Sequence, residues 1–211
     1  MTPAVKLAEG LGELGLDLGV EAQQRLLDYL RLLGRWNRTY NLTSVRAELA
    51  MVSAHLFDAL AVLPYLGSPA SLADVGSGAG LPGIPLAIAR PGMPVSLVES
   101  TGKKASFLTQ AKIDLGLSNV SIYCARSEEL AESAVWQPVQ AVISRAFADL
   151  ASFVRLAGGL LAPGGRLLAM KGQLPGKEIA GVPAGWAVRR CLPLKIPGLA
   201  AQRHLIIIER V

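Results

Sequence analysis

The hydrophobic pattern changes period along this chain. From Val20 to Trp36, residues Val20, Leu26, Leu27, Leu30, Leu33 and Trp36 recur at helical spacing, with Arg25, Arg31 and Arg35 largely off that stripe. A second stretch, Ala54 to Leu66, repeats the pattern through Leu56, Leu60, Leu63 and Leu66, and Pro64 is expected to weaken its last turn. Residues 1–66 therefore predict a helical N-terminal extension. After Pro69 short apolar runs take over. Predicted strands are Leu72–Val75, Val95–Glu99, Val120–Cys124, Ala141–Ser144, Arg166–Met170, Ala187–Leu194 and His204–Glu209. Predicted helices are Gly83–Arg90, Lys103–Leu115, Asp149–Leu161 and a short one near Gly176. Strands alternating with helices over residues 67–211 predict an α/β domain, a parallel sheet with helices on both faces. The last two strands have only the Pro197-Gly198 loop between them and are expected to form an antiparallel hairpin.

Composition narrows the class. Apolar residues make up 51% of the 211 residues, enough for a sizeable core. The formal net charge is +5 and the sequence pI near 9.5, a balance that suits a polyanionic partner as well as ordinary solubility. The two cysteines, Cys124 and Cys191, form no CxxC pair, so neither a zinc site nor a disulfide framework is expected. The segment Met1–Gly10 carries Lys6 and Glu9 and does not read as a signal peptide. No uncharged apolar run reaches bilayer length. The expectation is a cytoplasmic protein.

The densest chemistry lies at Asp74-Val75-Gly76-Ser77-Gly78-Ala79-Gly80-Leu81-Pro82-Gly83, which closes the first strand and opens the helix after it. In an open α/β sheet ligands bind at such a turn, and glycine lets the backbone approach them. Glu99 ends the second strand and is placed to accept from both hydroxyls of an adenosine ribose. Two cofactors suit this layout. Gly78, Gly80 and Gly83 match the dinucleotide pattern G-x-G-x-x-G, but a dinucleotide needs helix amides aimed at its pyrophosphate, and Pro82 and Pro85 remove two of them. S-adenosylmethionine has no phosphate, and Asp74 can face its cationic end. We expect S-adenosylmethionine.

Other features bear on the acceptor. Ser144-Arg145-Ala146-Phe147 stands after the fourth strand, where exocyclic-amine methyltransferases carry Asn-Pro-Pro-Tyr or Asp-Pro-Pro-Tyr. Neither cysteine is placed to attack cytosine C5; both read as core residues. An acceptor that needs neither covalent activation nor proton removal is left, and guanine N7 is one, although carboxylate and backbone nitrogen acceptors also fit. His55 and Asp58, one helical turn apart, read as a polar contact fixing a helix against the sheet and not as a metal site. Trp36 and Tyr40 could stack on bases but read first as core, whereas Phe147, just past a strand end, is the better candidate for touching a base.

Trp36-Asn37 with Tyr40-Asn41-Leu42-Thr43-Ser44-Val45-Arg46, His55 with Asp58, Asp74 to Pro85, Gly102-Lys103 with Phe107-Leu108, Ile143 to Phe147, Lys171-Gly172-Gln173 and Arg203-His204-Leu205 follow in one order across residues 36–205. In these stretches the chain resembles the ribosomal RNA small subunit methyltransferase G family, also called glucose-inhibited division protein B. Ala59 departs from the many members with serine there. The resemblance implies a Rossmann-like class I fold, a seven-stranded sheet with its last strand antiparallel, preceded by a helical extension. It implies methyl transfer to a guanine N7 in the 530 loop of 16S ribosomal RNA, at rRNA position 527, and cofactor contacts at Gly76, Leu81, the Ser127-Glu128 backbone and Arg145. Ser127-Glu128 also follows the third strand, where an adenine-binding loop belongs. The expected partner is 16S ribosomal RNA or the small subunit, with no metal and no membrane, and the expected form is a monomer. No general base is needed. Arg145, Lys171 and Arg203 are assigned positioning roles, the last two as phosphate contacts. The plainer alternative pairs Lys171 and Arg203 with carboxylates such as Glu178 and Glu209.

Overall fold

The computed structural model describes residues 1–145 and 147–211; Ala146, within the Ser-Arg-Ala-Phe segment, lies outside the described residues. Helix α1 (Pro3–Glu13) starts behind Thr2, whose hydroxyl accepts the Val5 N–H at 3.3 Å. Helix α2 (Val20–Tyr40) runs past the predicted end at Trp36 and stops where Asn41 adopts the left-handed conformation, φ 49°. The next helical stretch begins at Glu48, before the predicted Ala54. It comprises α3 (Glu48–Met51), a π-helical segment (Val52–Phe57) and α4 (Asp58–Leu60). The predicted helix is interrupted at Ala61-Val62, just ahead of Pro64. Pro64 lies in the first turn of a separate helix, α5 (Leu63–Leu66), where its missing N–H costs nothing. By length and mean hydropathy, 1.6 over an 18-residue window, residues 48–66 could span a membrane, but 72% of that window is buried inside the fold.

The sheet follows in chain order: β1 (Leu72–Val75), α6 (Gly83–Ala89), β2 (Val95–Val98), α7 (Gly102–Asp114), β3 (Val120–Tyr123), α8 (Ser127–Ala131), β4 (Val139–Ser144), α9 (Leu150–Ala157), β5 (Leu161–Lys171), α10 (Gly176–Ile179), β6 (Trp186–Pro193) and β7 (His204–Arg210). Its strand order is β3-β2-β1-β4-β5-β7-β6. Strands β1 to β5 are parallel, and β7 runs antiparallel to both β5 and β6, as the short Pro197-Gly198 connection predicted. Helix α8 was not predicted, since five residues show no period. The predicted helix 149–161 stops at Ala157 and tightens into a 3-10 turn, Gly158–Leu160.

Alternation along the strands sends side chains into two apolar layers. Leu168, Met170, Leu205 and Ile207 face the layer built with α1 to α7, while Leu167, Ala169, Ile206 and Ile208 face the layer built with α9. The N-terminal helices thus share one core with the sheet. From β1 the chain winds outward through β2 to β3 and then crosses back to β4 on the other side of β1. The strand ends between β1 and β4 are therefore the topological switch point, where an open sheet leaves room for a ligand.

Candidate cofactor and substrate site

The glycine loop sits at that switch point. Gly76, Gly78 and Gly80 take positive φ values of 69°, 58° and 83°, which a side chain would strain. The three differ in what surrounds them. Gly76 is exposed, and a Cβ on Gly78 would meet only the Gly76 carbonyl, at 3.8 Å, so this part of the loop opens onto space. Gly80 is buried, and a Cβ there would collide with Ile84; one on Gly83 would collide with Leu97 and with Asp74 Oδ2. Leu81 is buried in the core. Sequence spacing alone made these glycines equivalent. Packing against protein requires Gly80 and Gly83, whereas Gly76 lines a cleft and no side chain packs on Gly78.

Two carboxylates hold the loop in shape. Glu99, 5% exposed, accepts the Gly78 N–H at 2.9 Å through Oε2 and the Thr101 N–H at 2.8 Å through Oε1. Each oxygen has a further lone pair, so capacity to accept ribose hydroxyls remains. Asp74 is fully buried and accepts the Gly83 N–H at 2.8 Å through Oδ2, while Oδ1 has no partner among the described residues. Burial pushes the Asp74 carboxyl up to about 7, against the opposing pulls of the Gly83 N–H and the Arg145 guanidinium. From the N-terminal helices, the buried Tyr29 hydroxyl donates to the Ala79 carbonyl at 2.7 Å.

The start of α6 decides between the two cofactors. The Gly83 N–H is taken by Asp74, the Ile84 N–H by Gly80 at 2.7 Å, and the Leu86 N–H by Pro82 at 3.2 Å. Pro85 has none to give. These amides are spent inside the protein, so a pyrophosphate would find no donors here. An unpartnered buried carboxylate oxygen, a ribose-competent glutamate and an open glycine turn instead fit S-adenosylmethionine, which carries an ammonium and a sulfonium.

A cleft of about 190 Å³ runs on from Gly76 between Val75, Val98, Ser127, Glu128, Phe147 and Leu156. Its wall is mostly apolar, and Ser127 Oγ lies 3.1 Å from Glu128 Oε2 where α8 begins. Phe147 therefore lines the cleft, with its ring 5.1 Å from that of Phe153. Trp36 packs between Tyr40 and Phe107, leaving Tyr40 43% exposed.

Two arginines gather at the same end of the sheet around one acid. Asp58, 1% exposed, takes Arg145 Nη1 at 2.9 Å on one oxygen and Arg203 Nε at 2.7 Å on the other. Both guanidinium groups remain partly exposed, at 35% and 27%. Arg203, assigned a phosphate contact with Glu209 as its plainer alternative partner, does not meet Glu209: the antiparallel register puts Glu209 far down β7 opposite Arg166, near Arg189, and the buried Asp58 takes Arg203. Lys171, at the end of β5, does meet Glu178, at 2.9 Å, and also donates to the Phe147 and Ala148 carbonyls at 3.2 and 2.8 Å. It is 11% exposed, so it braces the segment after β4 and offers little to an incoming phosphate. His55 contacts Thr43 Oγ1 through Nε2 at 2.9 Å, and burial lowers its pKa. Among the described residues no group of three potential ligands is placed to hold a metal ion. Cys124 is exposed just beyond β3, contrary to the core placement expected, and Cys191 is half-buried in β6.

A switch-point glycine loop, a strand-end glutamate and a seven-stranded sheet with one antiparallel strand define a class I S-adenosylmethionine-dependent methyltransferase. Solved structures agree on the fold. The O-methyltransferase TomG from Streptomyces achromogenes, in complex with SAM, superposes with TM-score 0.60 at 14% identity over 87% of this chain and 89% of that one. A SAM-dependent methyltransferase from Aquifex aeolicus gives TM-score 0.56 at 17% identity over 75% and 92%. The sequence is more specific: the family model for rRNA small subunit methyltransferase G matches residues 22–206, and the chain belongs to that family. Its relatives include the ribosomal RNA small subunit methyltransferase G proteins of Azoarcus sp., 53% identical over 100% of this chain and 98% of that one, and of Nitrosospira multiformis, 52% identical over 100% and 99%.

Proposed function

We propose that this protein transfers the methyl group of S-adenosylmethionine to N7 of a guanine in the 530 loop of 16S ribosomal RNA, at rRNA position 527. The observation that carries the substrate half is Asp58 holding Arg145 and Arg203 together, partly exposed, beside the cofactor loop. Two guanidinium groups there suit the phosphates flanking a target nucleotide.

S-adenosylmethionine, once bound, supplies an electrophilic methyl on a cationic sulfur. The residues supply binding and alignment. Asp74 Oδ1 offers an acceptor to the cofactor's ammonium, Gly76 and Gly78 let the backbone come close, Glu99 takes the ribose hydroxyls, and Ser127 and Glu128 border the adenine. Gly80 and Leu81 keep the loop in register from below. Guanine N7 has a free lone pair at neutral pH, so no side chain has to remove a proton before attack. Neither cysteine is required, and Phe147 in the cleft wall offers a ring for a base to rest on.

Residues 1–66 act as an extension that completes the site of residues 67–211, since Tyr29 and Asp58 come from it. In this reading the protein works as a monomer, and an rRNA substrate fits work in the cytoplasm. Incubating the protein with labelled S-adenosylmethionine and unmodified small subunits, then separating nucleosides, tests the proposal: label in 7-methylguanosine is expected, and label in any other nucleoside overturns it.

A further inference from the structure

A second cleft lies on the N-terminal helices, apart from the cofactor loop. It has a volume of about 440 Å³ and forms where α2, the loop after it and α3 meet. Arg31, Arg35, Arg38 and Arg46 line it against one carboxylate, Glu48, and the side of Gly34 opens into free space. Arg31 is engaged by Asp28 at 2.7 Å and, more loosely, by Glu48 at 4.0 Å. Arg35, Arg38 and Arg46 are exposed and form no ion pair among the described residues. The helix C-terminus favours a cation at Arg38, but it accounts for neither Arg35, a turn earlier, nor Arg46, beyond the helix.

We propose that this cleft is a second RNA-binding surface, which grips the phosphodiester backbone of 16S ribosomal RNA away from the target nucleotide. The inference rests on the substrate reading above. Positions 31, 35 and 38 lie on one helix face over about 10 Å of axis. A row of that length suits a chain of phosphates better than a single anion. The planar forks of arginine match phosphate oxygens, and the lining holds no aromatic ring to stack a base, so the grip is independent of sequence. The cleft is also tied to the target site. Asn37 lines it and accepts the Thr43 N–H at 2.8 Å; Thr43 in turn contacts His55, one turn before Asp58. One strand of RNA could therefore bridge from the Arg145–Arg203 edge to this cleft around α2.

The test compares the parent with a triple variant, Arg35→Ala with Arg38→Ala and Arg46→Ala. Three measurements are made: S-adenosylmethionine binding by calorimetry, binding of naked 16S ribosomal RNA and of small subunits across a salt series, and methylation of a short 530-loop hairpin. The variant should keep cofactor binding and hairpin methylation within about twofold. It should bind 16S ribosomal RNA about tenfold or more weakly, with a salt slope flatter by roughly 0.7 to 0.9 per lost phosphate contact. A lysine triple variant, which keeps the charges, should recover most of that slope. Equal affinity and slope in parent and alanine variant overturn the cleft's role alone. Unchanged binding to naked RNA with a loss on assembled subunits also overturns it, because the partner would then be a ribosomal protein. A parent that binds neither 16S ribosomal RNA nor small subunits overturns the substrate reading and the cleft with it.

Discussion

The Tyr29 hydroxyl reaches the Ala79 carbonyl at 2.7 Å, joining the middle of α2 to the glycine loop fifty residues later in the chain. Both groups are buried, and burial pushes the phenol's pKa well above its usual value, so it stays a donor at all working pH. Tyr29→Phe would leave the Ala79 carbonyl without this partner at a cost of about 1–3 kcal/mol. The variant should melt at lower temperature and bind S-adenosylmethionine several-fold more weakly in calorimetry. A loop unaffected by the change would show that the extension does not shape the cofactor site.

Asp74 should make folding and cofactor binding respond to pH with opposite signs. Its carboxyl is raised by burial from 3.8 to about 7. A raised carboxyl favours the folded state below its unfolded pKa, and that contribution is lost as pH rises through about 7. Without ligand, the melting temperature of the parent should therefore fall relative to Asp74→Asn as pH rises from about 4 to about 7, and level off above that. Affinity for the cationic cofactor should instead rise over the same interval, because the ligand favours the carboxylate. Asp74→Asn should flatten both trends. Calorimetry in buffers of different ionisation enthalpy checks the proton release that accompanies binding.

Glu99→Ala removes the acceptor from the Gly78 and Thr101 N–H groups and from the ribose together. Cofactor affinity should drop by about tenfold or more, with rRNA binding nearly intact. NAD should give no heat with parent or variant, because the α6 amides are already satisfied. Heat with NAD alone would contradict the cofactor assignment.

Asp58→Asn leaves Arg145 and Arg203 without their shared carboxylate. Both arginines are partly exposed, so solvent screens part of the loss, and about 1–2 kcal/mol of stability is the expected cost. Turnover on rRNA should fall by more than cofactor affinity, since the guanidinium groups lose their fixed spacing. Lys171→Ala should also lower turnover, by freeing the segment that carries Phe147, but should leave the salt slope of RNA binding unchanged. A flattened slope would return Lys171 to a direct phosphate contact.

Sheet, helix alternation and the terminal hairpin were legible because strand runs and helical stripes have different periods and glycine and proline mark their ends. The glycine loop was legible as a ligand turn. Which glycines face protein was not, because Ile84 and Leu97 reach Gly80 and Gly83 only in the fold. The Asp58 bridge escaped notice for a similar reason: Arg145 and Arg203 stand 87 and 145 residues away from it, and sequence offers no distance between them. His55 and Asp58 at helical spacing were the available signal, read as a helix-to-sheet contact; for Asp58 this is what the fold displays. The π-helical turn that precedes Asp58 leaves no mark in a hydrophobic period.

The central claim is methylation of one guanine N7 in the 530 loop. Ribosomal RNA from cells lacking the protein, incubated with it and S-adenosylmethionine, should be cleaved at a single new position after reduction and aniline treatment. Primer extension should place that cleavage at position 527. No cleavage in the 530 loop, together with methyl label recovered as 5-methylcytidine or N6-methyladenosine, would contradict the account.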